Sequence, residues 1–374
     1  MARGSSGPAP EALPEADRLD PFPHPRATSK LYGHMAARSE FDRALTTGRC
    51  HHAWLLAGPE GIGKATFAYA VTCFALAEDH ERTGEGALAV QADGRTSRQV
   101  RALSHPGVMI IRRPYDLKDK RIRAVVTVDE VRRLKGFLTR TAAGGWRVVI
   151  VDAIDDLNTA AANALLKSLE EPPPRSLFLL VCREPGRLLP TIRSRCRTIQ
   201  MDRLSADDVV DAAIAARASA DPGVEVPDDV DWRRVAAASG GSVRRCLMLA
   251  NGNGEAIVGS VRRILTMLPK VDWSEAHALA ERLAAANQGA QFEMFYTLLL
   301  EDMADVARAG AGMTGLPQHT EGLGAQLVRA GRLASWAELW ESIAAERAAA
   351  VTLNLDRKTL ILDTIDRLAN ATRG

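Results

Sequence analysis

The residues best suited to chemistry lie in "GPEGIGKATFAYA", residues 58–70. Their spacing follows the phosphate-binding pattern Gly-x-x-x-x-Gly-Lys-[Ser/Thr]. Gly58, Gly63 and Lys64 are in place, and Gly61 lies inside the loop. Such a loop aims backbone N–H groups and a helix N-terminus at phosphate oxygens. Lys64 would neutralise the β- and γ-phosphates, and the hydroxyl of the next residue would hold Mg²⁺. That next residue is Ala65, which has no oxygen to offer. Thr66 sits one position on, turned by about 100° around the helix, and is a poor substitute.

A second nucleotide element is "VVIVDAIDDLN". Asp152, at the tip of a buried strand, would hold Mg²⁺ directly or through water. In a hydrolase of this architecture the following residue is usually a Glu that polarises the attacking water; here it is Ala153. A general base is typically worth about 10²–10⁴ in rate. Asp155 belongs to the following turn and does not replace it. Two hydrolytic parts are missing, so efficient ATP hydrolysis is not expected. Whether ATP or ADP still binds is left open by the residues.

The elements that must position these groups can be read from apolar runs. "HAWLLAG" is a buried strand feeding the loop, and Lys64 opens a largely apolar helix. "WRVVIVDAID", "SLFLLVCREP" and "RCRTIQM" are further strands, with helical stretches between them. Buried strands separated by helices predict a parallel sheet with crossover helices. After about residue 203 the pattern is helical, with Ser205 as an N-cap. The start, residues 1–27, is rich in Pro, Gly and acids and is expected to be a disordered tail. The plan is an α/β core over 28–203, a small helical lid over 204–252 and an all-α C-terminal domain over 253–374.

Composition narrows the class. The chain has 374 residues, 25% charged, with a formal net charge of +2. A balance that close to neutral makes any basic surface local. The five cysteines are scattered, with no Cys-x-x-Cys pair. That usage fits free thiols in a reducing compartment, and a cytoplasmic location without a membrane span is expected.

Two more pieces, "NALLKSLEEPP" and "LLPTIRSRC", complete a recognisable order of motifs. With "HHAWLLAGPEGIGKAT" and "GGSVRRCL", they resemble the clamp-loader subunits of bacterial DNA polymerase III, which are AAA+ proteins, and among them the delta-prime branch. The resemblance covers about residues 30–250. It implies a P-loop AAA+ core, a lid and a C-terminal oligomerisation collar. It implies a five-subunit machine that opens a sliding clamp and places it on primed DNA. The partners it implies are the gamma/tau and delta subunits, the clamp and primer-template DNA. In that family the Arg of Ser-Arg-Cys reaches into the neighbouring subunit's ATP site, which here maps onto Arg195 at the start of a short helical segment. The Arg of the lid motif maps onto Arg244, which would read bound nucleotide.

Departures from the family matter. Relatives often carry a four-cysteine zinc module after the phosphate-loop helix. Between Ala65 and Val181 this chain has only Cys73, so no zinc is expected. Residues 78–106 are polar and are expected to form a mobile insertion. "RRPYDLKDKRIR", with six bases and two acids, reads as a solvated hairpin that could lie near DNA phosphates. Trp336 and Trp340, four apart, read as core of the helical domain. Alternative functions are an active gamma/tau-like ATPase or another AAA+ DNA-remodelling ATPase. The missing hydroxyl and carboxylate weigh against both.

Overall fold

A computed structural model describes residues 13–373, apart from 29, 85, 140–144, 222–229, 251–253, 286–287, 315, 329–331 and 354–355. The chain divides into two compact units, Met1–Val224 and Glu225–Gly374.

Among the described residues the first unit has seven strands: β1 Ala53–Ala57, β2 Val108–Arg112, β3 Tyr115–Asp116, β4 Arg121–Ile122, β5 Arg147–Asp152, β6 Ser176–Cys182 and β7 Arg197–Gln200. Five of them form a parallel sheet in the order β2-β5-β6-β1-β7. β1 and β6 are buried along their whole length, which is why they read as unbroken apolar runs rather than alternating ones. Helices α1 Met35–Thr46, α2 Lys64–Leu76 and α3 Arg95–Arg101 come early in this unit. Trp54 and Leu56 share one core with Phe41 of α1 and Phe67 of α2. α4 Val128–Thr139, α5 Thr159–Glu170 and α6 Pro190–Arg193 follow. Leu55 and Phe178 point the other way and share a core with Leu134 of α4, Leu165 of α5 and Ile192 of α6. The expected α/β core with its parallel sheet is therefore present. α7 Ala206–Ala218 begins at Ser205, whose side chain accepts from the Asp208 N–H as an N-cap should. β3 and β4 pair antiparallel, so the basic stretch is a hairpin, pinned by Arg123 on Asp116 at 2.8 Å.

Among the described residues the second unit holds helices and no strand: α8 Trp232–Ser239, α9 Val243–Ala250, α10 Gly254–Met267, α11 Trp273–Ala284, α12 Gly289–Gly310, α13 Gln318–Leu327, α14 Leu333–Leu353 and α15 Arg357–Thr372. Trp336 and Trp340 of α14 donate their indole N–H groups to the Met303 and Leu300 carbonyls of α12, at 2.9 and 2.8 Å. Buried indoles need such partners, and these two serve the core. The residues expected as a lid are divided, with α7 in the first unit and α8 and α9 in the second.

Two expectations are corrected. Residues 1–12 of the expected tail lie outside the described residues, but residues 13–27 are a strap laid on the core. Phe22 is buried, and the His24 ring meets Tyr69 of α2 edge-on at 5.6 Å. Arg112, at the end of edge strand β2, donates to Asp17 at 2.6 Å and pairs with Glu15. Arg26 pairs with Glu15 at 2.7 Å and donates to the Arg101 carbonyl at 2.9 Å. Paired charge adds to the burial of Phe22 in ordering this segment, and composition does not register pairing. Burial works against an ionised Asp17, yet His24 and Arg112 hold its carboxyl below the usual range. The polar insertion is likewise folded. Buried Glu81 accepts from the Thr96 N–H at 2.9 Å and its hydroxyl at 2.6 Å, while Leu88 and Val100 join the core.

Candidate nucleotide-binding site

The loop after β1 turns on glycine. Gly58 passes so close to the Met201 carbonyl that a Cβ would lie 2.3 Å from its oxygen. Gly61 and Gly63 have φ of 77° and 96°, conformations that side chains disfavour. This geometry delivers the chain into α2 with its first N–H groups free to face an anion. Lys64 is 4% exposed, and its ammonium donates to the loop's own carbonyls, Gly58 at 2.7 Å and Pro59 at 2.5 Å. Burial pulls its pKa down to about 8, against the opposing pull of Glu60 and Asp152. Thr66 lies on α2, half-buried, two residues beyond Lys64.

Asp152 ends β5, in register with Arg112 of β2 and Val181 of β6. Burial pushes its pKa up to about 7; Asp17 of the strap adds to the rise, and Lys64 and Arg183 oppose it. Asp155 is engaged elsewhere, accepting from the Arg183 and Glu184 N–H groups at 2.8 and 3.0 Å. These residues fit a phosphate cradle, since the glycine turn, the helix start and Lys64 converge. They lack one part of a Mg²⁺ site, because Ala65 brings no oxygen. Among the described residues no group of three or more His, Cys, Asp or Glu is placed to hold a metal ion.

The raised Asp152 value has a consequence for stability. The folded chain keeps this proton at pH values where the unfolded chain has lost it. The contribution of this one group to stability therefore falls as pH rises from about 4 to about 7 and levels off above. Asp152→Asn removes that cost. It should unfold like wild type below pH 4 and be more stable by about 1–4 kcal/mol at pH 8. Urea titrations at the two pH values check this, and equal stability at pH 8 refutes it.

Sequence reasoning missed Arg183, just past β6. It pairs with Asp156, approaches Asp155 at 3.9 Å and Glu60 at 3.8 Å, and so ties the phosphate loop to the turn after β5. Its only sequence signal is its place in "CREP", directly after a buried strand.

Arg195 is not at the start of a helix, as expected, but two residues past the end of α6. Pro190 sets the first helical position, and the short helix closes with the Ser194 N–H on the Pro190 carbonyl. The Arg195 side chain is 35% exposed and pairs through Nη2 with Glu170 Oε1 at 2.7 Å. Its Nη1 donates to the Thr191 carbonyl at 3.0 Å.

Arg244 lies on α9 in the second unit. Its neighbour Arg245, unnoticed in the sequence, is the buried one. Arg245 meets Asp302 of α12 at 2.8 Å and Glu301 at 3.3 Å. His319 donates to the same Asp302 oxygen at 3.1 Å. A signal was present: Arg245 sits four residues before buried Leu249, on the apolar face of α9.

The family described as "DNA polymerase III, delta subunit" matches residues 33–205. The chain is similar to the DNA polymerase III subunit delta' of Pseudomonas aeruginosa, 38% identical over 146 residues, 39% of this chain and 41% of that protein. It is similar to the subunit delta' of Escherichia coli K12, 36% identical over 167 residues, 43% and 46% of the two chains. A longer match is to the subunit gamma/tau of Mycobacterium tuberculosis, 30% identical over 283 residues, 72% of this chain and 44% of that one. The chain thus spans less than half the length of each of these relatives. Among solved structures, a DNA polymerase III gamma subunit-related protein from Thermotoga maritima covers 90% of this chain and 99% of its own, with 14% identity and a TM-score of 0.37. At that TM-score the likeness carries no argument. Over residues 33–205, on its parallel α/β core, the chain thus resembles the delta' subunits of DNA polymerase III, and over a longer stretch the gamma/tau subunit.

Proposed function

We propose that this chain is the delta-prime-like subunit of a clamp loader, helping to place a sliding clamp on primer-template DNA in the cytoplasm. It assembles with gamma/tau-like and delta-like subunits, and residues 253–374 form its collar. Its own site holds ATP or ADP at most passively, with Arg244 as the residue that would read it. Arg195 serves the neighbouring subunit's site. The observation that carries this reading is the head of α2, where Ala65 stands in place of the hydroxyl and Lys64 is turned onto the loop's own carbonyls. Among the described residues no helix is long and apolar enough to cross a membrane, which is compatible with this setting.

A second reading, a gamma/tau-like motor, draws on the longer match to the mycobacterial subunit. The two readings differ in one measurement. The purified chain should turn over ATP far below about 1 s⁻¹, the low end of typical enzymes, with or without primed DNA. It should also co-elute with delta-like and gamma/tau-like partners. A steady rate near 1 s⁻¹ favours the motor, and failure to co-elute rejects the clamp-loader role.

A further inference from the structure

"SLEEPP" has so far no work assigned to it, although it is among the most distinctive pieces of the sequence. The structure brings it against "SRC". α5 must stop at Glu170, because Pro172 forces Glu171 out of the helical region, to φ −127° and ψ 66°. Glu170 is therefore a carboxylate on the last turn of a helix, where the carbonyl ends repel negative charge. Local helix stability does not favour an acid there. Its partner explains it: Glu170 Oε1 lies 2.7 Å from Arg195 Nη2.

We infer that Glu170 is a positioning residue for Arg195, holding the guanidinium ready for the phosphates of a neighbouring subunit. This rests on the assignment of Arg195 as the residue donated in trans. The guanidinium is gripped from two elements. The Thr191 carbonyl of α6 takes Nη1, and the Glu170 carboxylate of α5 takes Nη2. Both elements are fixed from beneath, α5 by Leu165 and Leu169 and α6 by Ile192, all buried in one core. An arginine has several rotatable bonds and a planar fork that works only in one orientation. Two anchors on rigid elements set the plane of that fork before a neighbour arrives. The pair remains accessible, with side chains 35% and 47% exposed, so the guanidinium can meet a phosphate without unfolding anything. Thus the two motifs act as one device, the arginine and its mount.

The test uses the assembled clamp loader containing this chain, with clamp and primed DNA present. Steady-state ATP turnover is measured for Glu170→Ala, Glu170→Gln, Arg195→Ala and the double variant. Glu170→Ala should lower kcat by about three- to tenfold with KM within about twofold, since orientation is lost and nucleotide binding is not. Glu170→Gln, which keeps an acceptor oxygen, should fall between it and wild type. The double variant should be no slower than Arg195→Ala alone, because a mount without its arginine has nothing to hold. If Arg195→Ala is impaired but Glu170→Ala turns over like wild type, Glu170 has no positioning role and the arginine assignment stands. Multiplying losses in the double variant also overturn the inference, since Glu170 would then act independently of Arg195. Wild-type turnover by Arg195→Ala removes the arginine assignment and this inference with it.

Discussion

Arg195→Ala in the assembled complex should lower clamp- and DNA-stimulated ATP turnover, and clamp loading, by at least about tenfold at the one site it would serve. A fixed guanidinium spreads stabilisation over the γ-phosphate oxygens as charge moves, and fingers supplied in trans are worth about 10³–10⁵ in favourable cases. Folding should be intact, because a partly exposed Arg contributes within about 0.5 kcal/mol. Arg195→Lys should recover little, since an ammonium is a point charge and cannot reproduce the planar fork. Normal turnover together with normal assembly would reduce this chain to a scaffold.

The largest effect on stability should come from the second unit. Asp302 is fully buried between Arg245 and His319. Burial opposes its ionisation, but Arg245 and His319 hold its carboxyl below the usual range. Asp302→Ala takes from the Arg245 guanidinium, 4% exposed, its nearest counter-charge, leaving partly buried Glu301 at 3.3 Å and the weaker pull of Asp305. Removing one partner of a buried pair typically costs about 3–5 kcal/mol. Denaturant melts of wild type and Asp302→Ala measure it. Replacing both partners, Arg245→Met with Asp302→Leu, should come much closer to wild type, since neither the buried guanidinium nor the buried carboxylate then remains. The pH dependence has a defined sign. A depressed carboxyl contributes its stability above the ordinary value of about 4 and loses it as pH falls through the depressed value. Asp302→Ala should flatten that acid limb, and a mild loss in the single variant would show that water or Glu301 compensates Arg245.

Much of the first unit was legible because its signals are local. The runs that became β1, β5 and β6 are apolar throughout, as strands covered on both faces must be. The glycines at 58, 61 and 63 announce a turn that only they adopt easily. Ala65 and Ala153 are legible as substitutions because the surrounding spacing fixes what each position would need to carry. What escaped was long-range pairing of charge. Nothing near Arg183 in the sequence points to Glu60, and nothing near Arg245 points to Asp302. Glu170 was quoted as part of a motif, but its meaning depends on a residue beyond β6 that only folding brings near. Arg195 itself was placed one helix too early, because a four-residue helix that begins at proline leaves almost no periodic signal.

The strap over residues 13–27 bears on where the folded part of this protein begins. By hydropathy the boundary would be drawn near residue 28. By electrostatics it lies at least as early as Glu15, because Arg112 has its counter-ions in that stretch. A chain shortened to the hydropathic boundary would leave a cation at the end of the edge strand, beside Asp152, with its two carboxylate partners gone. At this end of the described chain, neutralisation of one arginine thus holds the fold, together with the burial of Phe22.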